Sequence, residues 1–179
     1  MAYLTQHQNM DNFLETLVRD PLRYEPIIQF LDNIIQNSDE LSWFELESIG
    51  LEVSESLCSE FCSQVRKGMM KALDNSKTSS GQLEAAKVFA RQMTASPDKI
   101  AESHIAELRL SGLSDQSIED IVGWVCILQF YSVMDQALGF KGLPQPVITE
   151  ITQGTVQQQG YLPSFNYFIS MAPDQQKQT

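Results

Sequence analysis

The residues from Glu47 to Arg66 read ESIGLEVSESLCSEFCSQVR. They gather two of the three cysteines, Cys58 and Cys62, with a carboxylate upstream and a cation just beyond. A thiol attacks as its thiolate, which requires a pKa brought down from about 8.5 by a cation or a helix N-terminus. Arg66 follows Cys62 by one helical turn, on the same face, where its permanent charge suits a thiolate. It can neither give nor take a proton, so acid–base work falls to Glu47 or to Glu60 beside the thiol. Cys58 and Cys62 are also one turn apart. On an ideal helix that puts their Cα atoms roughly 6 Å apart, near the upper end of the disulfide range. A Cys58–Cys62 redox pair therefore requires a distorted or frayed helix start. The competing reading makes Cys58 and Cys62 packing residues, Glu47 a solvated helix residue, and Arg66 the surface partner of a carboxylate. Cys126 reads as a core thiol.

The rest of the chain limits what such a stretch serves. Its 179 residues fit one domain with a real core, and 42% hydrophobic content argues against wholesale disorder. A net charge of −11 repels phosphate backbones, and Arg66, Lys67 and Lys71 are too small a basic cluster to offset it, so no nucleic-acid partner is expected. An odd cysteine count without framework spacing suits a reducing compartment or a reactive thiol rather than a disulfide scaffold. His7 and His104 lie far from the cysteine pair and no Cys-x-x-Cys repeats, so neither a metal nor another cofactor is expected. The N-terminus lacks a basic region followed by an apolar run. The longest apolar stretch, Ile121 to Met134, is short for a bilayer and interrupted by Gln129 and Ser132. A soluble, cytoplasmic protein with no membrane partner is the expectation.

The elements that must position the stretch read as helices. Asp11 is placed to cap a short helix carrying Phe13, Leu14, Leu17 and Val18. A second runs from Pro21 to Asn37, amphipathic from Ile27 onward, with Pro26 in its first turn. Ser42 to Glu45 is a capping-box pattern, followed by a stripe of Leu46, Ile49, Val53 and Leu57. Ser59 to Leu73 continues as helix, and Asp74 to Gly81 reads as a polar loop. Further helices are predicted over Gln82–Met93, from Pro97 to a stop at Gly112, and over Asp115–Leu138, capped by Ser114 and ended by Gly139. The last of these should be central: Ile118, Ile121, Val122, Val125 and Cys126 recur at helical spacing, and Trp124, Ile127, Leu128 and Phe130 fill other faces. Beyond 142 the character changes to proline, glutamine and aromatic residues, including Tyr161, Phe165, Tyr167 and Phe168. The domain division expected is 1–142 for the helical body and 143–179 for a tail whose last residues are disordered. No strand-period segment competes, so the fold class is all-α.

ELSWFELESIGLEVSESLCSEFC, SGLSDQSIEDIVGWVCILQFYSVMDQALGF and PLRYEPIIQFLDNII together resemble the alkylhydroperoxidase D-like / carboxymuconolactone decarboxylase family, in its peroxidase-related branch. The likeness covers roughly residues 20 to 140. It implies an alkylhydroperoxidase D-like helical bundle with a long apolar central helix. It sets Glu47 at the family's proton-relay glutamate and Cys62 at the second, peroxide-reactive cysteine of Cys-x-x-Cys-x-x-x-His. Ser59 stands at the first, resolving cysteine and Arg66 at the histidine, while Gln129 and Ser132 replace an asparagine-rich patch. The implied activity is thiol-dependent reduction of a peroxide by Cys62 with Glu47; Cys58, outside the family motif, is the candidate replacement for the resolving cysteine, and Arg66 the cation beside the thiol. Two alternatives stand beside it: a catalytically degenerate member acting in assembly or small-ligand binding, and a decarboxylase-like or isomerase-like acid–base enzyme. The resemblance also implies a homo-oligomer: a dimer, trimer or hexamer.

Overall fold

The computed structural model describes residues 2–10, 12–73 and 81–171. Among these residues the regular structure is helical, without a strand, so the all-α class is as expected. The helices are α1 (Phe13–Arg19), α2 (Pro21–Asn37), α3 (Trp43–Ser56), α4 (Glu60–Ala72), α5 (Gly81–Ala95), α6 (Glu102–Leu110), α7 (Asp115–Leu138), α8 (Gln145–Gln157) and α9 (Tyr161–Met171). Their starts follow local chemistry. The Ser42 hydroxyl accepts from Glu45 N–H while the Glu45 carboxylate accepts from Ser42 N–H, closing the predicted capping box on α3. Ser59 caps α4 and Ser114 caps α7 by side-chain acceptance alone, from Cys62 N–H and Ser117 N–H. Gly139 ends α7 in the left-handed conformation, φ 76°.

Helix α3 is the hub, packing on α4, α5 and α7, while α2 lies between α7 and α9. Its stripe of Leu46, Ile49 and Val53 is fully buried. The main core joins that stripe to Phe13, Leu31, Phe89, Ile121, Trp124 and Leu128. A smaller one, built on Val65, Met69, Leu143 and Ile148, glues α8 to α4.

Several expectations need correcting. The α1 cap is Asn12, whose side chain accepts from Glu15 N–H; Asp11 lies outside the described residues. Helix α2 already starts at Pro21, so Pro26 sits inside it, beyond the first turn. Pro97 opens only a short 3-10 turn, Pro97–Lys99; Ile100 and Ala101 are extended, and α6 begins at Glu102. Cys126 is exposed rather than core. The inward face of α7 is Ile118, Ile121, Trp124, Val125, Leu128, Tyr131 and Asp135. A helix apolar on nearly every side offers no periodicity from which to choose that face. By length and composition α7 could also cross a membrane, but here it is the core helix against α2, α3, α4 and α5.

The segment after 142, read as a tail, folds as α8 and α9 and packs on α4, α2 and α1. The predicted polar loop, apart from Gly81, and the predicted disordered residues 173–179 fall outside the described residues. Asp32 on α2 accepts from Tyr161 N–H at 2.6 Å and so fixes the start of α9. Gly160 allows this approach, because a Cβ there would collide with the Asp32 carboxylate.

Candidate functional site

Glu47 is fully buried on α3 and Arg66, on α4, is 6% exposed. Arg66 Nη1 donates to Glu47 Oε2 at 2.7 Å and to the Tyr161 hydroxyl at 2.7 Å. The hydroxyl in turn donates to Glu47 Oε1 at 2.6 Å, and Trp43 Nε1 donates to the same oxygen at 2.8 Å. The guanidinium also lies 5.3 Å from the Tyr161 ring centroid, a cation–π distance. A buried charge survives only when it is paired and hydrogen-bonded, and this triangle supplies both conditions. Burial pushes the Glu47 carboxyl upward, while Arg66, Tyr161 and Trp43 pull it back. Burial pulls Arg66 down, but Glu47, Tyr161 and the Cys62 thiol outweigh it and hold the guanidinium charged. Tyr161 is driven well above the ordinary phenol range, burial first, and stays a donor.

Gly50 lets these elements meet. A Cβ at that position would stand 2.5 Å from Leu128 Cδ1, 3.1 Å from Trp124 Nε1 and 3.2 Å from Arg66 Cδ.

Cys62 lies in the first turn of α4, buried, with its N–H capped by Ser59 Oγ at 3.2 Å. It lines an apolar cavity of about 110 Å³ whose wall also includes Arg66, Tyr161, Leu31, Phe165 and Thr155. The cavity is therefore lined by α1, α2, α4, α7, α8 and α9, and Cys62, Arg66 and Tyr161 bring chemistry to it. Burial raises the thiol pKa; the Ser59 and Ser132 hydroxyls and Arg66 oppose this, and Asp135 adds to it. Ser132 lies near enough to influence the thiol, yet no contact of hydrogen-bond geometry satisfies its Oγ. The thiol is thus protonated at neutral pH.

Of the four residues the sequence selects, Glu47, Cys62 and Arg66 come together in the interior. Cys58 does not share a helix with Cys62. It sits exposed in the turn between α3 and α4, at φ 54°, a left-handed conformation that costs a non-glycine residue about 1–2 kcal/mol. Arg66 faces neither solvent nor the thiol alone, since its hydrogen bonds go to Glu47 and Tyr161. Gln129 donates to Met93 O at 3.4 Å. No group of three or more histidine, cysteine or acidic side chains suited to a metal occurs among the described residues.

Sequence reasoning missed Tyr161, Trp43 and Asp135. Tyr161 carries a faint signal as a phenol beside a glycine at the start of an apolar, aromatic run. Trp43, four residues before Glu47, is on the right face to reach it. Asp135 stands out only as an acid within the most apolar helix. The chain matches no protein-family model and no curated protein sequence.

Proposed function

We propose that the chain is a thiol oxidoreductase of the alkylhydroperoxidase D-like type, reducing a small organic hydroperoxide with Cys62. One observation carries this reading: Cys62 lies in the wall of an apolar pocket that Arg66 and Tyr161 also line. An apolar cavity of this order accepts a small apolar molecule. The Cys62 Sγ attacks the distal peroxide oxygen, the O–O bond breaks, and the thiol proton ends on the departing alkoxide. The products are Cys62 sulfenic acid and an alcohol. Cys58 then condenses with the sulfenic acid, forming the S–S bond and releasing water, and an external dithiol returns both thiols.

Consumption of cumene hydroperoxide in the presence of dithiothreitol tests this. Cys62→Ser should abolish turnover. Cys58→Ser should retain one equivalent of peroxide reduction but form no Cys58–Cys62 bridge on peptide mapping. Wild-type protein that leaves the peroxide untouched would end the proposal.

A second reading, ligand binding without turnover, is favoured by a different observation. The Arg66 charge is committed to Glu47, and burial raises the thiol pKa. It expects toluene to raise the melting temperature while peroxide is left unconsumed. Self-association as a dimer, trimer or hexamer belongs to either reading, and the exposed Leu22, Phe30, Leu110 and Val133 supply apolar surface for it.

A further inference from the structure

A thiol held protonated by burial needs a proton acceptor, and the groups expected to serve it are already engaged. Arg66 cannot accept a proton. Both Glu47 oxygens are occupied by Arg66, Tyr161 and Trp43. A second carboxyl, that of Asp135, also bears on Cys62. Asp135 on α7 is 2% exposed, and its Oδ2 accepts from the Ser59 hydroxyl at 3.2 Å. Ser59 is buried too, and its Oγ accepts from Cys62 N–H. The single Ser59 proton therefore points at Asp135, and of the two Oγ lone pairs the Cys62 N–H takes one, which leaves the other free. Asp135 Oδ1 is buried without a hydrogen-bond partner, as is the Ser132 hydroxyl one turn earlier on α7. Buried polar atoms in this condition are rare and mark strained or working sites.

We infer that Asp135 is the proton acceptor for Cys62, acting through the Ser59 hydroxyl. Resting on the thiol chemistry proposed above, the inference makes Asp135 and Ser59 positioning residues for that reaction. As Sγ attacks, its proton moves to Ser59 Oγ while the Ser59 proton moves to Asp135 Oδ2. Ser59 ends neutral, one negative charge passes from carboxylate to sulfur, and the proton returns by the same route to the leaving alkoxide. The charged and titratable groups that bear on this pair are Glu60 and Arg66 from α4 and the un-ionised Tyr131 phenol on α7. Burial, opposed by the Ser59 hydrogen bond and reinforced by Glu60, raises the Asp135 carboxyl to about 6, closer to the thiol than an ordinary aspartate.

The test is the rate of Cys62 alkylation by iodoacetamide between pH 4.5 and 9, located by mass spectrometry, with exposed Cys58 as the internal control. Wild-type protein should show a rising limb centred near pH 6. Asp135→Asn should lose that limb and slow Cys62 at pH 7 by about 10²-fold, the usual scale of general-base assistance. A carboxylate acting only as a neighbouring charge would raise the thiol pKa, so its removal would speed alkylation; that result overturns the inference. So does wild-type Cys62 that lacks the limb or does not alkylate in the folded protein. Should Asp135→Asn fail to fold, Ser59→Ala decides: it keeps thiol and carboxyl, cuts the relay, and should also lose the limb. If it keeps the limb, the relay is wrong. The limb without cumene hydroperoxide consumption would retain the proton acceptor and remove the peroxidase reading. Consumption with an unchanged Asp135→Asn profile would do the reverse.

Discussion

Single residues carry the energetic argument. Glu47 and Arg66 form a buried pair whose worth lies in being complete. Glu47→Ala leaves an uncompensated guanidinium inside the protein and should cost about 3–5 kcal/mol in urea unfolding. The double variant Glu47→Leu/Arg66→Met should recover most of that loss; additive destabilisation would mean the pair is not the structural unit described. Asp135 behaves in the opposite sense. Its folded pKa, about 6, lies above the unfolded value of 3.8. The folded state therefore holds the proton more tightly. The stability it adds is present below about pH 4 and is lost as pH rises through 6. Asp135→Asn should flatten this dependence and stabilise the fold at pH 7 by up to about 3 kcal/mol, read as a higher urea midpoint. Cys58 at φ 54° is a third case: Cys58→Gly should raise stability by about 1 kcal/mol while removing the resolving thiol. Unchanged stability would show that the turn relaxes around the cysteine at no cost.

At the scale of elements, the site exists because α3, α4 and α7 approach closely at Gly50. Gly50→Ala should cost about 1–3 kcal/mol through overpacking against Leu128 and Arg66, and thermal unfolding would reveal it. The elements were largely legible in the sequence. Ser42 and Ser114 announce α3 and α7 by cap chemistry, and Pro21 and Gly139 punctuate α2 and α7, because such signals are local; the helix from 59 was legible, but not that Ser59 is its cap. The inward face of α7 was not legible. Its apolar residues surround the helix, so the choice between Cys126 and Leu128 as the buried side is made by its neighbours. The helices after 142 were hidden for a related reason. Proline, glycine and the β-branched residues of 145–157 weaken helical propensity, and α8 forms because Ile148 and Thr152 dock on α4.

For the whole molecule, the site is closed by a helix distant in sequence. Glu47 and Arg66 were legible as candidates from spacing within one stretch. Tyr161 was not, since only the Asp32 contact and the α2–α9 packing bring it back to them. A chain ending at residue 142 should therefore lose the smaller core and the Tyr161 hydrogen bonds, and should unfold at markedly lower temperature than the full chain if it folds at all. Light scattering at micromolar concentration should give a multiple of 20.2 kDa; the monomer mass would contradict self-association. The central claim is that Cys62, although buried, is the thiol that meets peroxide. Its most direct test is stoichiometric cumene hydroperoxide with dimedone present, followed by peptide mapping of all three cysteines. The account predicts that the sulfenic acid adduct accumulates at Cys62 before Cys58 or Cys126, and at neither of those sites preferentially in Cys62→Ser. Adducts on exposed Cys58 and Cys126 with Cys62 untouched would contradict it.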